Sequence, residues 1–180
     1  MKTYLRHLIQ LILSPRNGWE DIEKADVDPS LLLGRGYYPL IAIAALSVYF
    51  KAVWTHAAFL QLFFEMIVWF VVFFVGYFFG VFVLSLFVEP MVDGKYDDDR
   101  CHTFVAYTLG IEAVIAIICQ CLPVTTLVLF FLPCYVALVE WKGVGYMKIK
   151  PVKVGLFMIL AIFGVLLPPY ILYYIFSLMF

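Results

Sequence analysis

The chain has 180 residues, and its make-up excludes a water-soluble domain: 65% of residues are hydrophobic, 19% aromatic and 14% charged, with a mean hydropathy of +1.00. Soluble domains carry about 25% charged residues, so a chain this apolar needs lipid as its solvent. The net charge of −1 says nothing about nucleic acid, but no arginine-rich stripe or RNA-binding signature is present, so nucleic acid is not an expected partner.

The first predicted element lies within Met1–Ser14. It has a basic start, but Arg6, His7 and Gln10 interrupt its apolar run and no small-residue cleavage site follows, so a cleaved signal is not expected. Leu5, Leu8, Ile9 and Ile12 recur at helical spacing, with Lys2, Arg6 and Gln10 off that face. The pattern predicts an amphipathic helix that either lies on the membrane surface or packs on the protein's own cytoplasmic side. Residues 1–35 then form a cytoplasmic N-terminal segment and residues 36–180 a transmembrane helical domain.

A hydrocarbon core of about 30 Å takes about 20 apolar residues to cross as a helix. The first span is expected from about Tyr37 to Thr55, after a break at Gly34-Arg35-Gly36. The second runs from about Phe59 to Val88, longer than a crossing needs, and must tilt or project. The third runs from about Thr103 to Leu122, where Pro123 breaks it. The fourth covers about Val124 to Val139 with Pro133 inside, and the fifth begins near Val154 and meets Pro168-Pro169, where it either bends along the interface or completes the crossing. The expected fold class is an all-α polytopic bundle of about five spans.

Basic residues gather on the cytoplasmic side of membrane proteins. With the N-terminus inside, eleven of the 12 Lys and Arg fall on inner segments: Lys2, Arg6, Arg16, Lys24, Arg35, Lys95, Arg100, Lys142, Lys148, Lys150 and Lys153. The outer loops near His56 and Pro123 hold none, and Lys51 lies within the first span.

Ionisable residues inside a membrane are expensive and become candidate functional residues. Lys51 lies roughly 21 Å along the first helix and Glu65 roughly 9 Å from the outer end of the second, so the two reach similar depths and are expected to pair. Alternatively, each reaches water on its own. Glu112 falls roughly 14 Å into the third helix, near the midplane. A carboxyl there is protonated or hydrogen-bonded to another helix, as a lock on the bundle or as a proton- or ion-coupling site. Gly76 and Gly80 form a G-x-x-x-G, which lets a second helix approach closely, within the chain or from a second copy.

The loop Asp93-Gly94-Lys95-Tyr96-Asp97-Asp98-Asp99-Arg100 does not have the ligand spacing of a calcium-binding EF-hand. Gly94 is read as a turn and the aspartates as the N-terminal end of the third helix, where the dipole favours them. The basic, aromatic stretch from Trp141 to Lys153 is expected against anionic headgroups. Cys101, Cys119, Cys121 and Cys134 lack metal-ligand spacing, and His7, His56 and His102 are scattered, so no cofactor, metal site or catalytic set is expected.

The run Ser14-Pro15-Arg16-Asn17-Gly18-Trp19-Glu20-Asp21-Ile22 resembles the opening segment of the Yip1 family, in which a helix, a proline and a tryptophan lead into an acidic stretch. Asp93-Gly94-Lys95 through Phe104-Val105-Ala106-Tyr107 resembles that family's inner loop, and Gly145-Tyr146 through Lys153 its last loop. The chain lacks the long polar N-terminal region of the eukaryotic members and looks like the short bacterial branch. The resemblance implies a five-span protein of the bacterial inner membrane, with structural roles for Pro15, Trp19 and Gly94. The eukaryotic members' traffic with Rab-type GTPases does not carry over to bacteria.

The expected function is a non-enzymatic membrane scaffold or interaction protein. Its expected partners are the lipid bilayer, a protein at the cytoplasmic loops and a further copy of the chain. The competing expectation is a small transporter or channel built on Glu112 and the Lys51/Glu65 pair, with helices broken at Pro133 and Pro168-Pro169.

Overall fold

The computed structural model describes residues 1–55, 57–122 and 126–178, and these form seven helices with no β-strand among them. They are α1 (Lys2–Leu13), α2 (Pro15–Ala25), α3 (Pro29–Thr55), α4 (Phe59–Met91), α5 (Asp98–Cys121), α6 (Thr126–Gly143) and α7 (Pro151–Ser177). Four of them, α3, α4, α5 and α7, are long and apolar enough to cross a membrane. With the composition, this makes the chain an integral membrane protein. The expected break at Pro123 and the start of the fourth predicted span at Val124 lie outside the described residues, as does His56.

α5 is the axis of the bundle. Its apolar window is 72% buried, against 50% for α3 and 39% for α4 and α7, and every residue from Thr103 to Ala113 is buried. α4 and α7 are more apolar than α5, as suits helices that face lipid, whereas α5 carries Thr103, Thr108, Glu112 and Gln120, polar side chains that lipid disfavours and the bundle interior takes in. The outer helices present Phe70, Phe74, Phe78, Phe82, Ile159 and Phe163 outward.

The predicted break before the first span does not occur. α3 runs unbroken from Pro29, because a π-turn over Leu33–Tyr37 absorbs the two glycines. Asp28 caps its start by accepting from the Ser30 amide at 2.7 Å and the Ser30 hydroxyl at 2.5 Å. α7 likewise continues through Pro168-Pro169 to Ser177, with a π-turn over Ile162–Leu166 just before the prolines. That wide turn accommodates the two missing donors without ending the helix. Gly76 and Gly80 face this part of α7. A Cβ at Gly76 would stand 3.4 Å from Pro169 Cγ, and one at Gly80 3.1 Å from Val105 of α5 and 3.3 Å from the Gly164 carbonyl.

At one end of the bundle the connection between α4 and α5 meets the one between α6 and α7. Val92 and Ile149 form an isolated antiparallel bridge there, with the Asp93 amide on the Lys148 carbonyl at 2.7 Å. Gly94 turns the chain at φ 98°, and Asp97 caps α5 through the Asp99 amide at 3.1 Å. We refer to this as the polar end.

The N-terminal helices cover that end. α1 packs on the protein itself, and its buried face is Tyr4, His7, Leu8 and Leu11. The predicted face was rotated from this one: Leu8 is shared, Leu5 and Ile12 are half-buried, and Ile9 is 55% exposed. The difference arises because the helix is oriented by an aromatic ring and an imidazole with hydrogen-bond partners, not by its aliphatic side chains alone.

Candidate functional site

The polar end is built around Trp19 of α2, which is 2% exposed. Its indole is stacked on Phe104 of α5 and on Tyr146, with ring centroids 5.3 and 5.1 Å apart, and meets Tyr107 edge-on at 6.3 Å. The ring nitrogen donates to the Val139 carbonyl of α6 at 3.0 Å. A Cβ at Gly143, one turn on, would come within 3.1 Å of that nitrogen. One side chain thus joins α2, α5, α6 and the turn that follows α6.

Tyr4 of α1 does the same a turn deeper along α5. Its hydroxyl donates to the Ala106 carbonyl at 2.8 Å and its ring stacks on Tyr107 at 4.8 Å. His7 Nδ1 meets the Tyr107 hydroxyl at 3.3 Å. Burial holds the His7 imidazole below its ordinary pKa, the Arg6 charge adds to this, and Asp21 partly offsets it. Gln10 donates to Asp21, tying α1 to α2, and the Tyr135 hydroxyl of α6 donates to the Ile12 carbonyl.

Beside these contacts lies a cavity of about 250 Å³. Its floor is His7, Thr103, Tyr107 and Tyr146, and its rim carries Glu23, Asp26, Asp28, Asp97, Asp99 and Arg100. Arg100 is already engaged: its guanidinium pairs with Glu23 at 2.9 Å and Asp97 at 3.6 Å, donates to the Tyr146 carbonyl and sits 5.1 Å from the Tyr146 ring centroid. Burial pushes the Tyr146 hydroxyl up to about 12, so it remains a neutral donor.

The intramembrane polar residues fall in two places. Lys51 of α3 and Glu65 of α4 form an ion pair far from the polar end, and the Tyr173 hydroxyl of α7 donates to the same carboxylate at 3.2 Å. Glu65, Tyr173, Gln61 and Phe176 line a second cavity of about 500 Å³ between α4 and α7. Glu112 lies apart from that pair, buried in α5. Neither of these two cavities reaches it.

Two features were missed from the sequence. Glu140 of α6 is fully buried. Its signal is positional: Val136, Val139, Glu140 and Gly143 recur at helical spacing and are all buried, so the apolar stripe of α6 carries a carboxyl at its end. His102 was set aside as scattered, yet its Nδ1 lies 2.5 Å from the Tyr77 hydroxyl and its Nε2 3.5 Å from Asp98 one turn back. That carboxylate–imidazole–phenol chain orients Tyr77 against Tyr37, whose ring lies 5.4 Å away. Among the described residues, no three His, Cys, Asp or Glu gather where they could hold a metal ion, and Cys101, Cys119 and Cys121 are free thiols.

No family model, curated protein or solved structure matches this chain.

Proposed function

We propose that this is a multi-pass membrane protein of the Yip1 type that works as a non-enzymatic scaffold, with the polar end as its docking platform. On this reading α6 is a fifth span, and α1, α2 and the polar end face the cytoplasm of a bacterium whose inner membrane holds the bundle. The short segments around Trp19, Gly94 and Tyr146 support the family, and all three converge at the polar end.

The observation that carries the scaffold reading is the Trp19 junction. The chain commits its two N-terminal helices and both polar-end connections to one organised surface with a cavity, and elsewhere clothes the bundle in apolar side chains. A rigid, polar, concave surface on an apolar anchor is what a docking protein needs. The transport reading draws on Lys51, Glu65 and Glu112, but the first two are committed to each other. Gly76 and Gly80 are taken up by α5 and α7, which leaves them unavailable for a second copy.

Photo-crosslinking in cells tests this. A photoreactive residue at Asp99 or Lys142 is expected to capture the same partner, and one at the outward Phe70 is not. Reproducible capture at neither polar-end position, in protein that still folds, defeats the reading. Orientation is tested separately: a thiol reagent that cannot cross membranes should reach a cysteine placed at Lys95 only from the cytoplasmic face.

A further inference from the structure

Four carboxylate oxygens inside the bundle have no hydrogen-bond partner among the described residues: both of Glu112 and both of Glu140. Glu112 is 3% exposed and Glu140 0%, and the hydroxyl of Thr108, one turn before Glu112, is likewise buried and unpartnered. Buried polar atoms in native proteins are nearly all satisfied, so four orphaned oxygens on two side chains point to something they bind. The two carboxyls belong to one site: α5 and α6 are packed antiparallel with Gly143 set against Phe104, so by helix rise Glu140 and Glu112 lie within about 8 Å of each other along the bundle axis. The Tyr37 hydroxyl of α3 is spent on the Phe73 carbonyl at 2.9 Å.

The chemistry of the pair selects its ligand. A hard divalent cation takes six to eight oxygens, whereas two carboxyls offer four, and among the described residues no third His, Cys, Asp or Glu joins them. A bare carboxylate with neither counter-charge nor donor is the costly state in such surroundings. A proton needs no coordination shell and removes that cost directly.

We propose that Glu112 and Glu140 form a proton-binding pair inside the bundle, closed off from the polar-end cavity by the indole of Trp19. The plug follows from position. Trp19 donates to the carbonyl of Val139, the residue before Glu140, and lies between that turn of α6 and the cavity-lining rings of Tyr107 and Tyr146. Protons reach the pair from the polar end when the N-terminal helices lift, and are trapped when they seat. The site is independent of the docking role, since it holds whether or not the platform recruits a partner.

Infrared spectroscopy of the full chain in lipid nanodiscs tests this, because the carbonyl stretch of a protonated carboxyl is separate from that of a carboxylate. The expected result is a protonated-carboxyl band at neutral pH that shifts only slowly in D2O and titrates in two steps, as an interacting pair does. Glu112→Gln and Glu140→Gln should each remove about half of it and move the midpoint of the carboxyl that remains. Trp19→Ala should keep the band and speed its D2O shift at least tenfold. The absence of the band in the wild type overturns the proposal, as does a single-step titration. A wild-type D2O shift as fast as that of exposed groups overturns the plug. These wild-type outcomes decide the matter even where a variant fails to fold.

Discussion

Tyr4 shows how tightly single residues are specified. Its ring fills a slot between α3 and α5 whose walls are glycines: a Cβ at Gly36 would sit 2.5 Å from Tyr4 Cγ, and one at Gly110 2.2 Å from its hydroxyl. Gly110→Ala should therefore expel Tyr4 and loosen α1, at a cost of about 1–3 kcal/mol for the overpacked site. Limited proteolysis at Arg6 and Arg16 reads this out, and cleavage no faster than in the wild type contradicts it. Glu65, by contrast, holds a partly exposed pair. Lys51→Met should cost on the order of 1 kcal/mol, the scale of interhelical polar contacts in membranes, measured as a lower midpoint of unfolding in detergent. The Lys51/Glu65 juxtaposition was legible in the sequence, because two charges in antiparallel neighbouring helices reveal their relative depth by counting. The Tyr4 slot was not: its glycines lie in separate helices, and nothing local links them to a ring over 30 residues away.

Among the elements, α1 is the one whose seating depends on pH. His7 is neutral in the seated helix, where burial holds its pKa below the ordinary value, and regains that value of about 6.5 when the helix lifts. The lifted state thus binds more protons as the pH falls, so the stability of the seated state is fully present above the ordinary value and declines below it. Proteolysis at Arg6 should accelerate on acidification through that range, and His7→Gln should flatten the dependence. An unchanged pH profile in His7→Gln would assign the effect to another group. α3 and α7 teach a different lesson about elements. Gly34 and Gly36 were read as a break and Pro168-Pro169 as either a bend or a completed crossing, yet in both helices a π-turn takes up the defect and the helix continues. A π-turn has no composition of its own, and what stabilises it is packing against neighbours, in α7 the glycine face of α4.

For the whole molecule, hydropathy and helix length were enough to reveal an α-helical membrane bundle, since lipid imposes one solution on the backbone. What pattern reading could not supply was that the N-terminal helices and two distant connections share one junction, because each segment alone reads as an ordinary polar loop or helix. That junction leaves Lys142, Lys148, Lys150 and Lys153 exposed at its edge. Each basic residue near an anionic membrane surface is worth about 1 kcal/mol. Replacing Lys148, Lys150 and Lys153 by Gln should therefore strip anionic lipids that co-purify with the wild type, as counted by native mass spectrometry. Equal retention would place those lysines away from the headgroups.

The bond from Trp19 to Val139 also dictates an order of events during synthesis. Its two ends are 120 residues apart in sequence. At typical elongation rates of 5–20 residues per second, the N-terminal helices emerge roughly 6–24 s before the carbonyl that receives them exists. Throughout that interval their aromatic face has no seat, and the first part of the chain to leave the ribosome is among the last to reach its final position. The newborn protein is thus an unlatched bundle until α6 is made, and only then can its first helices close.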